Sequence, residues 1–278
     1  MKSLYGVIGS PIAHSMSPLI HNDAFLQNGM DAHYHAFHVE PDQLETAVAS
    51  MRALGVTGFN VTIPHKEAVI PLLDSVEDAA LQIGAVNTVV NKDGKLIGYN
   101  TDGRGFVEAL KEVVELKDKR VLIIGAGGAA RAIFYTLALE EGIQLDICNR
   151  TVSKSEDLIK EFSLERIARS ITVDQAAKEI KNYDVVVQTT SVGMFPQIND
   201  TPLPLVSVKK HAVFSDIIYN PIETKLLREA KVLGAVTQNG VHMFAYQAAL
   251  AFEIWTGKFP DTDRMKKLVE EHLGGKTC

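Results

Sequence analysis

An α/β fold built on a Rossmann-type, doubly wound parallel sheet is what this sequence predicts. An N-terminal α/β domain is expected before it, and C-terminal helices packing back on that first domain after it. Three observations carry the prediction. Residues 120–150, RVLIIGAGGAARAIFYTLALEEGIQLDICNR, set strand, glycine-rich turn, helix and strand in succession. The first third alternates strand and helix patterns but holds no phosphate loop, which makes it a separate domain. After Gly240 strand patterns stop and two helical stretches remain. The expected domains are residues 1–101 for substrate, 102–239 for the nucleotide, and 240–278 as the returning helices.

Taken in order, residues 4–8 read as a strand, and Ser17 and Pro18 read as the N-cap and first position of a helix ending at Gly29. Residues 32–39 alternate as a strand, 43–54 read as a helix stopped at Gly55, and 58–63 as a strand broken at Pro64. More helix is expected from there to Gly84. Strands at 86–91 and 95–100 flank Asp93-Gly94, a hairpin turn signal. A helix from Asp102 to about Leu116 links the domains. The nucleotide domain then follows: strands at 121–124, 144–148, 184–188, 212–217 and 235–238, within about six in all. Its helices are at 152–162, from about 174, and at 224–233. Residues 241–255 and 262–273 complete the chain as helices.

Composition narrows the function classes. The chain has 278 residues, 46% apolar and 22% charged, within the ordinary range for a globular protein. A net charge of −6 without a basic cluster argues against nucleic acid, and no apolar run is long enough to span a bilayer. Cys148 and Cys278 fit no metal or redox spacing and read as reduced thiols; the cytoplasm is the expected compartment. His33, His35 and His38 lack an acidic partner in the pattern, and no metal is expected.

The glycine-rich turn fits G-x-G-x-x-A. Gly125 allows the turn, Gly127 lets backbone approach a pyrophosphate, and Ala130 lets helix pack on strand. The helix N-terminus supplies N–H groups and dipole for the phosphates. The second strand ends in Asn149-Arg150-Thr151, with no acid to hold ribose hydroxyls. Arg150 can pair with a 2′-phosphate, Thr151 can donate to it, and Lys154 lies one turn on, so NADP(H) rather than NAD is expected. Hydride transfer then requires a substrate anchor and a proton donor elsewhere. Ser15 and Ser17 are two apart at a strand end, although turn and cap chemistry accounts for Ser17 equally well. Asn60 and Thr62 share a strand face, with Lys66 just past the break. Asn87 starts a strand, and Asp102 reads either as a helix N-cap or as a charge partner.

Together HSMSPLIHN (14–22), FNVTIPHK (59–66), GAVNT (84–88), YNTDG (99–103), GAGGAAR (125–131), NRT (149–151) and NGVHMFAYQA (239–248) resemble, in order and spacing, the signature segments of the shikimate dehydrogenase family. The resemblance covers residues 5 to 251 and is closest to the biosynthetic, NADP-using branch. It implies reversible reduction of 3-dehydroshikimate by NADPH. Lys66 would be the acid/base at the C3 oxygen, paired with Asp102. Ser15, Ser17 and Tyr219 would bind the carboxylate, while Thr62, Asn87, Asp102 and Gln247 would bind ring hydroxyls and Asn60 would line the pocket. NADP would be held by Gly125, Ala126, Gly127, Gly128, Ala129, Asn149, Arg150, Thr151 and Lys154. Thr189, Thr190, Met194, Ile217, Gly240 and Met243 would lie along the nicotinamide path, and Asp78 would touch the cofactor. His65 departs from the family pattern, which has Phe or a similar apolar residue there. A quinate/shikimate enzyme of broader specificity and a non-catalytic sensor are the competing readings. The expected partner is a small molecule, the expected assembly a monomer or homodimer.

Overall fold

A computed structural model describes residues 2–274, so Cys278 lies outside the described residues. The chain divides into two compact units. One holds the chain through Asp102 and again from Ala245; the other is Gly103–Phe244.

The first unit opens with β1 (Ser3–Gly9), α1 (Ser17–Gln27), β2 (Ala32–His38), α2 (Leu44–Ala53) and β3 (Gly58–Val61). It continues with β4 (Ser75–Val76), α3 (Asp78–Ile83), β5 (Thr88–Lys92) and β6 (Lys95–Tyr99). The sheet order is β2-β1-β3-β5-β6-β4, with β2, β1 and β3 parallel and β5 antiparallel to β3 and β6. Asp93 and Gly94 both have positive φ (52° and 85°), the backbone of the tight turn that joins β5 to β6. Ile8, Phe59, Val61, Val89 and Leu96 alternate inward onto α2 and close the core.

Two expectations fail in this unit. Residues 66–83 are not one helix: a 3₁₀ turn at Ile70–Leu72 gives way to β4 before α3 begins. Pro71 cannot donate to a continuing helix, and the Asp74 carboxylate accepts from the Leu96 N–H at 2.7 Å, pulling the segment toward the sheet edge. Ser17 is not the N-cap. Met16 holds that position without a side-chain bond, leaving the Ser17 hydroxyl uncommitted to capping.

The second unit runs α4 (Asp102–Lys111, its first residue belonging to the first unit), β7 (Arg120–Ile124), α5 (Gly128–Leu137), β8 (Gln144–Cys148) and α6 (Val152–Glu161). It continues β9 (Ala168–Ile171), α7 (Val173–Glu179), β10 (Val185–Gln188), β11 (Val213–Asp216), α8 (Lys225–Val232) and β12 (Val236–Gln238). The order β12-β11-β10-β7-β8-β9, all parallel, is the doubly wound arrangement, with winding reversing between β7 and β10. β9 was not named by its pattern, because Ala-Arg-Ser-Ile is short and carries Arg169. That arginine pays for its place with a bidentate bond to the buried Asp146, at 2.8 and 2.7 Å. The α4 helix also stops earlier than its apolar pattern implied. Cys148 is a buried strand residue whose thiol burial pushes up to about 12, so it stays protonated.

α9 (Gly240–Thr256) and α10 (Thr262–Gly274) end the described chain, and from Ala245 onward they belong to the first unit. They pack back on it. The Trp255 indole N–H donates to Val89 O at 3.0 Å, Phe252 meets Phe25 at 5.0 Å, and Arg264 on α10 forks onto Asp23 on α1. Among the described residues no helix is long and apolar enough to cross a membrane.

Gly58 is where this docking is tightest: a Cβ there would sit 2.4 Å from the Trp255 indole nitrogen. Gly58→Ala is expected to destabilise the first unit by about 1–3 kcal/mol in urea titration; an unchanged midpoint would contradict the packing. His21 is fully buried between Tyr34, Phe252 and Trp255, with both ring nitrogens unbonded, and burial lowers it to about 3. Its folded pKa lies below the unfolded 6.5, so the unfolded chain binds the extra proton between those values. Stability should therefore be full above 6.5 and fall by up to ~1.4 kcal/mol per pH unit below it. His21→Phe should flatten that slope in Tm against pH, and an identical slope in the variant would refute the assignment.

Candidate active site

Lys66 follows the break after β3. Its backbone is held in place because the Val86 N–H donates to the Lys66 carbonyl at 2.8 Å, while the His65 N–H donates to Thr62 O at 2.9 Å. The side chain is not a free surface charge. Nζ lies 2.5 Å from Asp102 Oδ2, with the lysine side chain 31% and the aspartate 9% exposed. The Asp102 carboxylate is therefore used by a cation rather than spent capping α4. Its other oxygen, Oδ1, accepts from Asn87 Nδ2 at 2.9 Å.

Asn87 is itself over-determined. Nδ2 also donates to Thr101 Oγ1 at 2.9 Å, and Oδ1 accepts from the Thr101 N–H at 2.8 Å and the Thr88 hydroxyl at 2.9 Å. Its amide is thus fully committed and aims one N–H at Asp102. Thr101 and Thr88 complete this arrangement. Thr88 stands beside Asn87 at a strand start, where edge hydrogen bonding is one reading, whereas the signal for Thr101 is only that it stands directly before Asp102. Asn60, on β3 beside β5, donates to Asn87 O and Thr88 Oγ1, both at 3.0 Å. These bonds bring Asn60, Lys66, Asn87 and Asp102 into one buried polar cluster within the first unit.

The remaining predicted residues of that unit stand around or apart from it. Thr62 is half-buried, its N–H donating to Ile8 O at 3.0 Å. Ser17 is buried at the start of α1, and the Ser15 Oγ accepts from the Ser17 N–H at 3.3 Å. Gln247 is half-buried on α9. Asp78 is exposed at the first turn of α3 and makes no bond to the cluster. His65 turns inward instead of meeting the pocket polarity its type suggested. It is buried, and Nε2 lies 2.6 Å from Val39 O.

In the second unit the loops at the switch point are knitted to one another. Gly125 has φ +111°, and a Cβ there would fall 2.6 Å from Thr189 Oγ1. The Gly125 N–H donates to Cys148 O, and both the Thr189 N–H and hydroxyl donate to Ile124 O. Glycine is required at 125 by both conformation and space. Gly240 is required by space alone, since a Cβ would meet Ile217 O at 2.1 Å; its N–H donates to Ile218 O. Met243 follows it on α9 and Met194 is exposed in the loop beyond Thr190. The Ile217–Tyr219 turn is anchored by Asp216, which accepts from the Ile218 N–H and the Thr224 hydroxyl. Burial pushes Asp216 up to about 7 against those bonds. Tyr219 is half-buried against Phe244, at 5.4 Å between rings.

These residues fit a dinucleotide. α5 starts at Gly128 behind Gly127 with no side-chain cap and no acid in its first turn, and a Cβ at either glycine meets nothing within 4 Å. Its unpaired N–H groups thus face open space, as a diphosphate requires. Ala126 and Ala129 flank them. Thr151 occupies the N-cap of α6 without capping it, while Asn149 Nδ2 donates to Thr151 O at 2.9 Å. Arg150 and Lys154 are exposed, and neither has a carboxylate partner among the described residues. Two cations and a free hydroxyl at the end of β8 suit a 2′-phosphate.

Family models match three stretches: the shikimate dehydrogenase substrate binding domain over residues 7–89, shikimate/quinate 5-dehydrogenase over 108–218, and the shikimate 5′-dehydrogenase C-terminal domain over 240–270. A shikimate dehydrogenase (NADP(+)) of Geobacillus sp. is 55% identical across 99% of this chain and 100% of its own. A shikimate 5-dehydrogenase structure from Listeria monocytogenes, in complex with shikimate and NAD, aligns with TM-score 0.90 and 38% identity over 96% of both chains. The Thermus thermophilus shikimate 5-dehydrogenase, in complex with NADP(H) and shikimate, aligns with TM-score 0.87 and 36% identity over 97% of this chain and 99% of that one. Sequence and backbone match these relatives over nearly the full length, and the chain belongs to the shikimate dehydrogenase family.

Proposed function

We propose that this chain catalyses the reversible NADPH-dependent reduction of 3-dehydroshikimate to shikimate, with Lys66 as the acid/base group and Asp102 as its partner. The observation that carries this reading is the 2.5 Å Lys66–Asp102 pair, oriented from behind by a saturated Asn87. Ligand binding alone has no need of a mobile proton so placed. When bound, NADPH supplies the hydride to C3. Lys66 gives its ammonium proton to the C3 oxygen, so the ketone becomes an alcohol, and in the reverse direction the neutral amine takes that proton back. The ammonium also stabilises negative charge building on that oxygen, while Asp102 holds Nζ in place and balances its charge.

Ser15, Ser17 and Tyr219 are proposed for the substrate carboxylate. Neither serine is spent on a helix cap. Thr62, Asp102 and Gln247 are proposed for the ring hydroxyls, with Asn60 lining the same pocket. Asn87 can join them only by releasing a bond to Thr101. In the other unit Gly125–Ala129 and Asn149, Arg150, Thr151 and Lys154 are proposed to hold NADP. Thr189, Thr190, Met194, Ile217, Gly240 and Met243 are proposed to line the nicotinamide path, with Asp78 as an outlying contact. A cytoplasmic enzyme, monomeric or homodimeric, is consistent with these assignments. The division into a substrate domain, a nucleotide domain and returning helices belongs to the same proposal.

Absorbance of reduced nicotinamide, followed with shikimate and NADP, tests the activity, and parallel assays with quinate and with NAD measure its breadth. Lys66→Ala should lower kcat by roughly 10²–10⁴ with a modest effect on KM; near-normal turnover would remove Lys66 from the mechanism. Arg150→Ala should weaken NADPH binding far more than NADH binding, whereas equal losses would contradict a 2′-phosphate contact.

A further inference from the structure

The segment HSMSPLIHN ends in two residues that the proposed function does not use, and both turn onto Tyr34. His21 stacks on the Tyr34 ring, with centroids 4.5 Å apart and planes within 12°. Asn22 clamps the Tyr34 backbone from the open side of β2: its Nδ2 donates to Tyr34 O at 2.9 Å and its Oδ1 accepts from the Tyr34 N–H at 2.8 Å. An edge strand normally leaves such groups to water; here a side chain takes the place of a neighbouring strand. Trp255 closes on the ring at 6.1 Å, and Tyr34 is 1% exposed.

So much restraint on one side chain fixes where its hydroxyl points. The Tyr34 hydroxyl donates to Asn60 Oδ1 at 2.7 Å. Asn60 spends both amide hydrogens on Asn87 O and Thr88 Oγ1, so Oδ1 keeps one lone pair for anything else. As seated, Asn60 can accept from a ligand hydroxyl and cannot donate to it. Burial pushes the Tyr34 phenol well above its ordinary range, outweighing an opposing effect of Ser17, so the phenol remains a proton donor.

We propose that Tyr34 is a positioning residue for the substrate pocket: its hydroxyl, held by the ring packing and the Asn22 clamp, fixes the Asn60 amide on β3 in the orientation the ring-hydroxyl side requires. The inference rests on the proposed shikimate reading of this pocket. Removal of the hydroxyl should be felt by substrate binding and not by the cofactor.

The test uses the full chain with Tyr34→Phe, His21→Phe and Asn60→Ala, alone and with Tyr34→Phe added to Asn60→Ala. Tyr34→Phe should raise the shikimate KM about three- to tenfold, the worth of one buried hydrogen bond. Its kcat and its KM for NADP should stay within about twofold of wild type. His21→Phe keeps a flat ring against Tyr34 and should leave the shikimate KM unchanged. In the Asn60→Ala background, adding Tyr34→Phe should cost less than it does in wild type, because its effect runs through Asn60. A merely structural role would lower Tm and give equal fold-losses in both backgrounds. Equal losses, or an unchanged KM in Tyr34→Phe, would overturn the inference while leaving the shikimate reading intact. Wild-type protein that neither binds nor oxidises shikimate would overturn both.

Discussion

Burying a carboxylate costs several kcal/mol unless protein groups replace the water it loses, and Asp102 shows how this chain meets that condition. One oxygen faces the Lys66 ammonium and the other an amide N–H of Asn87. Asn87 can aim that N–H only because Thr101 and Thr88 occupy its remaining positions. Thr88 and Asn87 belong to the start of β5, and Thr101 and Asp102 to the junction of β6 with α4. The hairpin that brings these two ends together is thus what permits a charged pair in the interior. Breaking any link would leave a buried polar group without a partner, which costs more than the bond itself contributes.

The second unit solves a different problem, how to bring bare backbone to a phosphate. Its solution is close approach. Gly125 is pressed on Thr189 and Thr190, and the Gly125 and Thr189 N–H groups are absorbed by neighbouring strand ends. The loop after β7 is thereby stiffened while the first turn of α5 stays uncapped. The proposed choice of dinucleotide lies separately at the end of β8, where the absence of an acid matters as much as the presence of Arg150. In the proposed function the two tasks, holding phosphate and choosing the dinucleotide, fall to the ends of adjacent strands of one sheet.

Aromatic packing links the terminal helices to the first unit. Trp255, Phe252, Phe25, Tyr5, His21 and Tyr34 form a continuous set of ring contacts from α9 through α1 to β1 and β2. A buried histidine with two unbonded nitrogens is an expensive member of that set. Its flat shape, stacked nearly parallel to Tyr34, is the property the structure uses.

By itself the sequence determined the features that depend on near neighbours. The glycine-rich turn between strand and helix, the Asp93-Gly94 hairpin and the missing acid after β8 follow from local sterics and residue type, and each stands where its pattern put it. Lys66 and Asp102 drew attention only through the segments that resemble the family, and the fold pairs them. Features set by distant partners were not legible. β9 exists because Asp146 compensates Arg169, the stretch after Lys66 bends because β6 offers it an edge, and His65 turns inward because Val39 presents a carbonyl. Whether Asp102 capped a helix or held a lysine could be decided only by folding. Both roles suit the same residue at the same position, and only the arrival of Lys66 from 36 residues away selects between them.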